Sequence, residues 1–152
     1  MSTITATLSG IAVRKKTKQP MVLLDQSTAT CAAGIGNDLR GKPGRRQVTV
    51  MSAECWQQAC NEAGKQLHWQ QRRANLLISG LQFSAQTIGS IIRIGEAELL
   101  ITRATDPCRR MDQTLPGLSQ ALAKSWRGGV CCQVIKDGAI RVGDNVILKN
   151  PP

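Results

Sequence analysis

Cys108 stands in the segment Asp106, Pro107, Cys108, Arg109, Arg110, just past an apolar run that reads as a strand, and two cations follow it. Cationic neighbours favour the thiolate, which is both the nucleophilic and the soft, metal-binding form of cysteine. The position suits a persulfide or a thiophilic metal. The alternative is an inert loop thiol, because neighbours in sequence need not approach the sulfur. The other five cysteines, Cys31, Cys55, Cys60, Cys131 and Cys132, show no C-x-x-C spacing. Adjacent Cys131 and Cys132 would point to opposite faces of a strand, which argues against shared ligation of one zinc.

Two further sets of residues could bind an anion. Arg73 and Asn75 precede the apolar run Leu76, Leu77, Ile78, and the two-residue period of a strand would put both on one face, where they could grip one ligand together. Arg127 is followed by Gly128 and Gly129, so a guanidinium fork beside unobstructed backbone could hold a phosphate; a turn with a solvated arginine is the alternative reading. The single His68 has no partner for a catalytic cluster, and no nucleophile elbow, Walker loop or G-x-G-x-x-G fingerprint is present. Most hydrolase and kinase chemistries are thereby excluded.

The elements that must position these residues are mostly strands. Residues 3–13, 21–24, 47–51, 76–79, 88–94 and 98–104 are rich in Thr, Ile, Val and Leu. The last two are joined through Gly95 and Glu96 like a hairpin. Ser52 supplies an N-cap for a helix over 53–63 that Gly64 terminates, with Cys55, Ala59 and Ala63 on one face. A second helix is expected over 117–126 after Pro116, with Leu118, Ala121, Leu122 and Ser125 at helical spacing. Residues 129–135, a turn at Lys136, Asp137, Gly138 and residues 139–148 read as a hairpin with a second turn at Gly143 and Asp144. The charge run Arg14, Lys15, Lys16, Lys18 reads as a solvated loop. Residues 30–46, with four glycines, a proline and four bases, read either as anion-binding backbone or as a mobile surface loop. Seven or so short strands with two helices imply a mainly β chain, a barrel with helical excursions.

At 152 residues the chain has the size of one domain, and 41% apolar residues suffice for one full core. Twenty bases against ten acids leave a net charge of +10, which calls for an anionic partner. One Phe, three Trp and no Tyr leave few faces for base stacking, so nucleic acid is not the expected partner. No apolar run approaches the length of a membrane span, the N-terminus does not read as a secretory signal, and a cytoplasmic location with reduced cysteines is expected.

Read in order, GIGNDLRG, RQVTVMSAE, RRANLLISGL, TIGSIIRIGEAELLITRATDPCRRM, RGGVCCQVI and DGAIRVGDNVIL resemble the molybdenum cofactor sulfurase C-terminal (MOSC) domain family over roughly residues 10–148. The most specific parts are R-x-N before a strand, the single cysteine after ELLIT, RGG, and G-x-I-x-x-G-D. The resemblance implies a β-barrel with short helices, a single domain over 1–152 and binding of the molybdenum cofactor. Cys108 matches the family cysteine that ligates molybdenum or receives sulfur. Arg73 and Asn75 match the pair that lies against the cofactor, and Arg127 matches the arginine of RGG. The implied activity is reduction of N-hydroxylated compounds with an external electron donor, or handling of cofactor or sulfur. A persulfide carrier that never binds metal, served by a sulfurtransferase, is the alternative, and a basic nucleic-acid-binding barrel a third. The family's glycine–aspartate pair is interrupted here as Gly36, Asn37, Asp38. No Schiff-base lysine context appears, so pyridoxal phosphate is not expected in this chain.

Overall fold

Thr, Ile and Val dominate the first long apolar segment, and β-branched side chains fit a pleated, half-buried surface. In a computed structural model that describes residues 3–105 and 110–149, this segment is strand β1 (Thr3–Val13). It is followed by β2 (Val22–Leu24), β3 (Gln26–Thr30), β4 (Gly34–Ile35), β5 (Val48–Ser52), helix α1 (Ala53–Ala63), β6 (Leu76–Ser79), β7 (Ile91–Ile94) and β8 (Ala97–Ala104). Helices α2 (Arg110–Thr114) and α3 (Leu118–Ala123) precede β9 (Val130–Lys136), β10 (Gly138–Arg141) and β11 (Asn145–Lys149).

The order β11-β7-β8-β9-β5-β6-β1, with β11 paired back to β1, closes a seven-stranded barrel. Every pair around it is antiparallel except β5–β6, a parallel pair whose crossover is α1. Alternate side chains turn inward, and Leu8, Val50, Leu76, Ile78, Ile92, Leu99, Ile101 and Leu148 fill the interior. A bulge between Leu8 and Gly10 shifts the register of β1, so that Ile11 and Val13 also enter the barrel. Outside, Met51, Leu77 and Ala12 form a second core with Trp56 of α1 and Leu118 and Leu122 of α3. Gly10 is required there, because a Cβ would lie 2.5 Å from the Trp69 ring.

The helix at 53–63 ends as its sequence dictates: Ser52 Oγ accepts the Cys55 N–H, and Gly64 closes the helix in the left-handed region. The hairpin through Gly95 and Glu96 also forms. The expected hairpin of 129–135 with 139–148 does not. β9 stays between β8 and β5, while β10 leaves the barrel and pairs with β3 in a small sheet, β10-β3-β4. Two contacts redirect the chain. The Asp137 carboxylate accepts the Cys31 N–H at 2.7 Å, and Gly138 presses so close to Ala97 that a Cβ would sit 2.4 Å from its nitrogen. Residues 30–46 likewise contain β4 rather than loop alone; beside the seven barrel strands, the described residues hold the short strands β2, β3, β4 and β10 and a third short helix. No helix among them is long and apolar enough to cross a membrane.

Candidate functional site

The strand row that matters runs across the outer wall of the barrel. Ala12 pairs with Asn75, Asn75 with Thr49, Thr49 with Cys131, and Cys131 with Arg103. Side chains of this row that the helix layer does not cover form the floor of a cleft. Its two lobes, about 790 and 640 Å³, share Arg40, Arg46, Gln47, Thr49 and Arg72. Arg14, Lys18, Arg73 and Arg110 line the inner lobe, and Lys42, Arg45 and Arg103 the outer one. Half of the chain's 20 Lys and Arg therefore converge here. Asp38 is the single carboxylate among the described lining residues.

Three polar side chains hold this arrangement. Asp38 accepts the Arg14 N–H at 2.6 Å and the Arg40 N–H at 3.0 Å, tying the loop after β4 to the end of β1. Its charge is thus already shared with backbone donors. Gln47, buried, donates to the carbonyls of Cys31 and Gly41, both at 2.9 Å, and accepts the Val134 N–H at 2.9 Å. Gly41 is packed so tightly against Ala33 that no Cβ could fit. The basic loop is therefore pinned at both ends and is a wall of the cleft. Asn75, 5% exposed, acts on both sides at once. It exchanges N–H and carbonyl bonds with Thr49 using its backbone N–H (2.9 Å) and Oδ1 (3.1 Å), and with Ala12 using its carbonyl (2.8 Å) and Nδ2 (3.1 Å).

The electrostatics are unbalanced. The Arg14 side chain is buried, and that burial, together with the charges of Arg73 and Arg40, lowers its pKa from the usual arginine value. No described residue accepts a hydrogen bond from the guanidinium of Arg14, Arg40 or Arg73. An anion entering the inner lobe would relieve this repulsion and fill those donors.

Several sequence expectations are corrected. Arg73 and Asn75 are not aligned by strand alternation: Arg73 caps the 3-10 turn Trp69–Arg72 with φ of 64°, before the strand begins, and is exposed over the inner lobe. Asn75 borders the same lobe, but its amide is engaged by main chain, so it acts as a strut rather than as half of a gripping pair. Arg127 does not reach the cleft. Its Nη1 lies 2.7 Å from Glu62 Oε2 and donates to the Ala121 carbonyl at 3.4 Å, because the 3-10 turn Lys124–Trp126 aims it at α1. The neighbouring glycine serves instead: the Gly128 carbonyl accepts from Arg72 Nη2 at 3.1 Å, fixing a cleft arginine. Arg14 is buried rather than solvated. Sequence reading missed Arg14 and Arg72 and reached Arg40 only as one of the bases of the 30–46 segment; the signals were the clusters of bases in 14–18, 40–46 and 72–73.

Cys131 and Cys132 diverge as strand neighbours must, Cys131 toward the outer lobe and Cys132 into the barrel. Burial pushes the Cys132 thiol far up, and burial also raises that of Cys60. The Cys31 thiol is raised by its hydrogen bond with the Asp137 carboxylate. None of these three favours a thiolate. Cys108 lies outside the described residues; Thr105 and Arg110, the nearest described residues on either side of it, both line the cleft. His68 Nδ1 accepts the Gln70 N–H as a turn cap, away from the cleft lining.

A closed seven-stranded barrel with an outer basic cleft defines the class, and the MOSC domain model matches residues 34–147. The chain belongs to the MOSC domain family. No curated protein matches it. Among solved structures it is similar to the YuaD protein from Bacillus subtilis, with a TM-score of 0.83 at 22% identity over 99% of both chains. It is also similar to YiiM from Escherichia coli (TM-score 0.72, 18% identity, 96% of this chain and 71% of that one). YiiM from Geobacillus stearothermophilus matches with a TM-score of 0.67 at 15% identity, over 97% of this chain and 75% of that one. At these identities the likeness is one of fold.

Proposed function

We propose that this protein holds the molybdenum cofactor in the basic cleft, with Cys108 as its sulfur ligand, and reduces N-hydroxylated compounds with electrons from an external donor. The observation that carries the reading is the inner lobe, where Arg14, Arg40 and Arg73 converge with no acceptor among the described residues, around a carboxylate already bonded to backbone. Such a donor set fits the phosphate of a pterin cofactor, and a cysteine thiolate is the soft ligand that a thiophilic metal takes. When bound, the cofactor supplies a two-electron redox centre. The chain's own part is to bind and orient. Arg73 and Arg14 hold the anionic end, Asp38 and Gln47 keep the loop that carries Arg40 in place, and Arg72 stays fixed by Gly128. The lobe volume lies within the range of small-molecule sites.

Molybdenum, pterin and sulfane sulfur measured on the purified protein test this reading. Molybdenum and pterin in equal amounts, lost in Cys108→Ser, support it. Sulfane sulfur on Cys108 without metal would replace it with the persulfide carrier. Tight, sequence-selective nucleic-acid binding at physiological salt, with neither cofactor nor sulfur, would overturn both.

A further inference from the structure

We propose that the cleft is built for two phosphate-class groups rather than one, with the outer lobe formed by the 40–46 loop as the second anion subsite. This rests on the reading of the inner lobe as an anion site and names what lies beyond it. The floor from Ala12 to Arg103 spans four inter-strand steps of about 4.8 Å, about 19 Å around the barrel wall. A single phosphate covers a small part of that. The inner lobe, at about 790 Å³, already has room for a ligand of drug size, and the outer lobe adds a further cavity of about 640 Å³ that overlaps it only along the shared residues.

The outer lobe is also cationic in its own right. Lys42 and Arg45 belong to it alone, and no carboxylate is among its described lining residues. The loop that carries them is fastened, although both side chains are exposed. Arg45 Nη2 donates to the Thr102 carbonyl at 3.3 Å, the Thr102 hydroxyl returns a bond to the Arg45 carbonyl, and Gln47 locks the end of the loop. Fixing like charges together costs energy in the empty protein, and a rigid loop loses little entropy when an anion arrives. The chemistry recognised is a ligand with phosphates at two separated positions, of the nucleoside bisphosphate or nucleotide-extended class. The second phosphate could belong to the pterin ligand itself or to a separate substrate.

Calorimetric titration of the cofactor-free protein with adenosine 5′-monophosphate and adenosine 3′,5′-bisphosphate, which differ by one phosphate, tests the second subsite. The bisphosphate is expected to bind about tenfold tighter, the worth of a charge-assisted contact. Lys42→Ala/Arg45→Ala should remove most of that excess, and Arg14→Ala should weaken both ligands, with circular dichroism confirming folded variants. Equal affinities in the parent, or an undiminished excess in the double variant, would overturn the proposal. Failure of both nucleotides to bind would instead remove the anion-site reading beneath it. The mass of pterin released from loaded protein separates the sources. A nucleotide-extended pterin assigns both lobes to one ligand, whereas a pterin monophosphate in protein that still binds the bisphosphate assigns the outer lobe to a substrate.

Discussion

Replacing Asn75 by alanine should unfold the protein more easily without altering how well each folded molecule holds its ligand. The side chain makes two bonds, Oδ1 to the Thr49 N–H and Nδ2 to the Ala12 carbonyl, both 3.1 Å, at the point where the chain enters the barrel between β1 and β5. Truncation leaves one backbone donor and one backbone acceptor without partners. Each such group costs roughly 1–3 kcal/mol when buried, so the expected loss is about 2–6 kcal/mol. For a chain of this size that corresponds to a fall in Tm of about 4–24 °C. Asn75→Asp keeps an acceptor for Thr49 but sets an oxygen against the Ala12 carbonyl. It should be destabilised at neutral pH and recover in acid, where a protonated carboxyl donates. Thermal and urea melts of cofactor-free variants, beside loading measured per folded molecule, provide the assay. An Asn75→Ala protein that melts within about 2 °C of the parent while losing cofactor would refute the strut and return Asn75 to the ligand.

The remaining expectations concern the cleft and the ion pair behind it. Arg73→Ala should weaken cofactor retention by on the order of 1.5–3 kcal/mol with little change in apo Tm, and Arg73→Lys should recover only part, since a point charge cannot reproduce the planar fork; retention titrations decide it. Cys108→Ser should abolish molybdenum or sulfane-sulfur loading with the melt unchanged, and loading lost instead in Cys131→Ser would move the sulfur site to the outer lobe floor. Arg14→Met should raise the apo unfolding midpoint, because the charge is disfavoured where it sits, and flatten the stabilisation by added phosphate, which in the parent reaches about 2.7 kcal/mol at a hundred times Kd. Glu62 is held below its usual pKa by hydrogen bonds from Arg127 and Lys124. Its contribution is therefore present above the ordinary glutamate range and lost as pH falls through the lowered value. Glu62→Gln should reduce the urea midpoint at pH 7, and the difference from the parent should vanish in acid.

By itself the sequence determined the local pieces: the Ser52–Gly64 helix, the Gly95–Glu96 hairpin, the opposite facing of Cys131 and Cys132, and the net charge that demands an anionic partner. These depend on period, caps and turn chemistry, which act within a few residues. The family motifs were legible too, although their roles were not. R-x-N looked like a pair of ligand contacts, yet Asn75 is fastened to Thr49 and Ala12, and RGG looked like a phosphate fork, yet Arg127 turns to Glu62. Each outcome depends on a partner 26, 63 or 65 positions away, which no local pattern can name. The cleft is the clearest case. Bases from 14–18, 40–46, 72–73, 103 and 110 are scattered as separate charge runs along the chain, and only barrel closure and the pinned loop bring them to one face. Charge was a property of composition; its convergence was decided by strand order, because like charges gather only where the covalent and hydrogen-bonded framework forces them together.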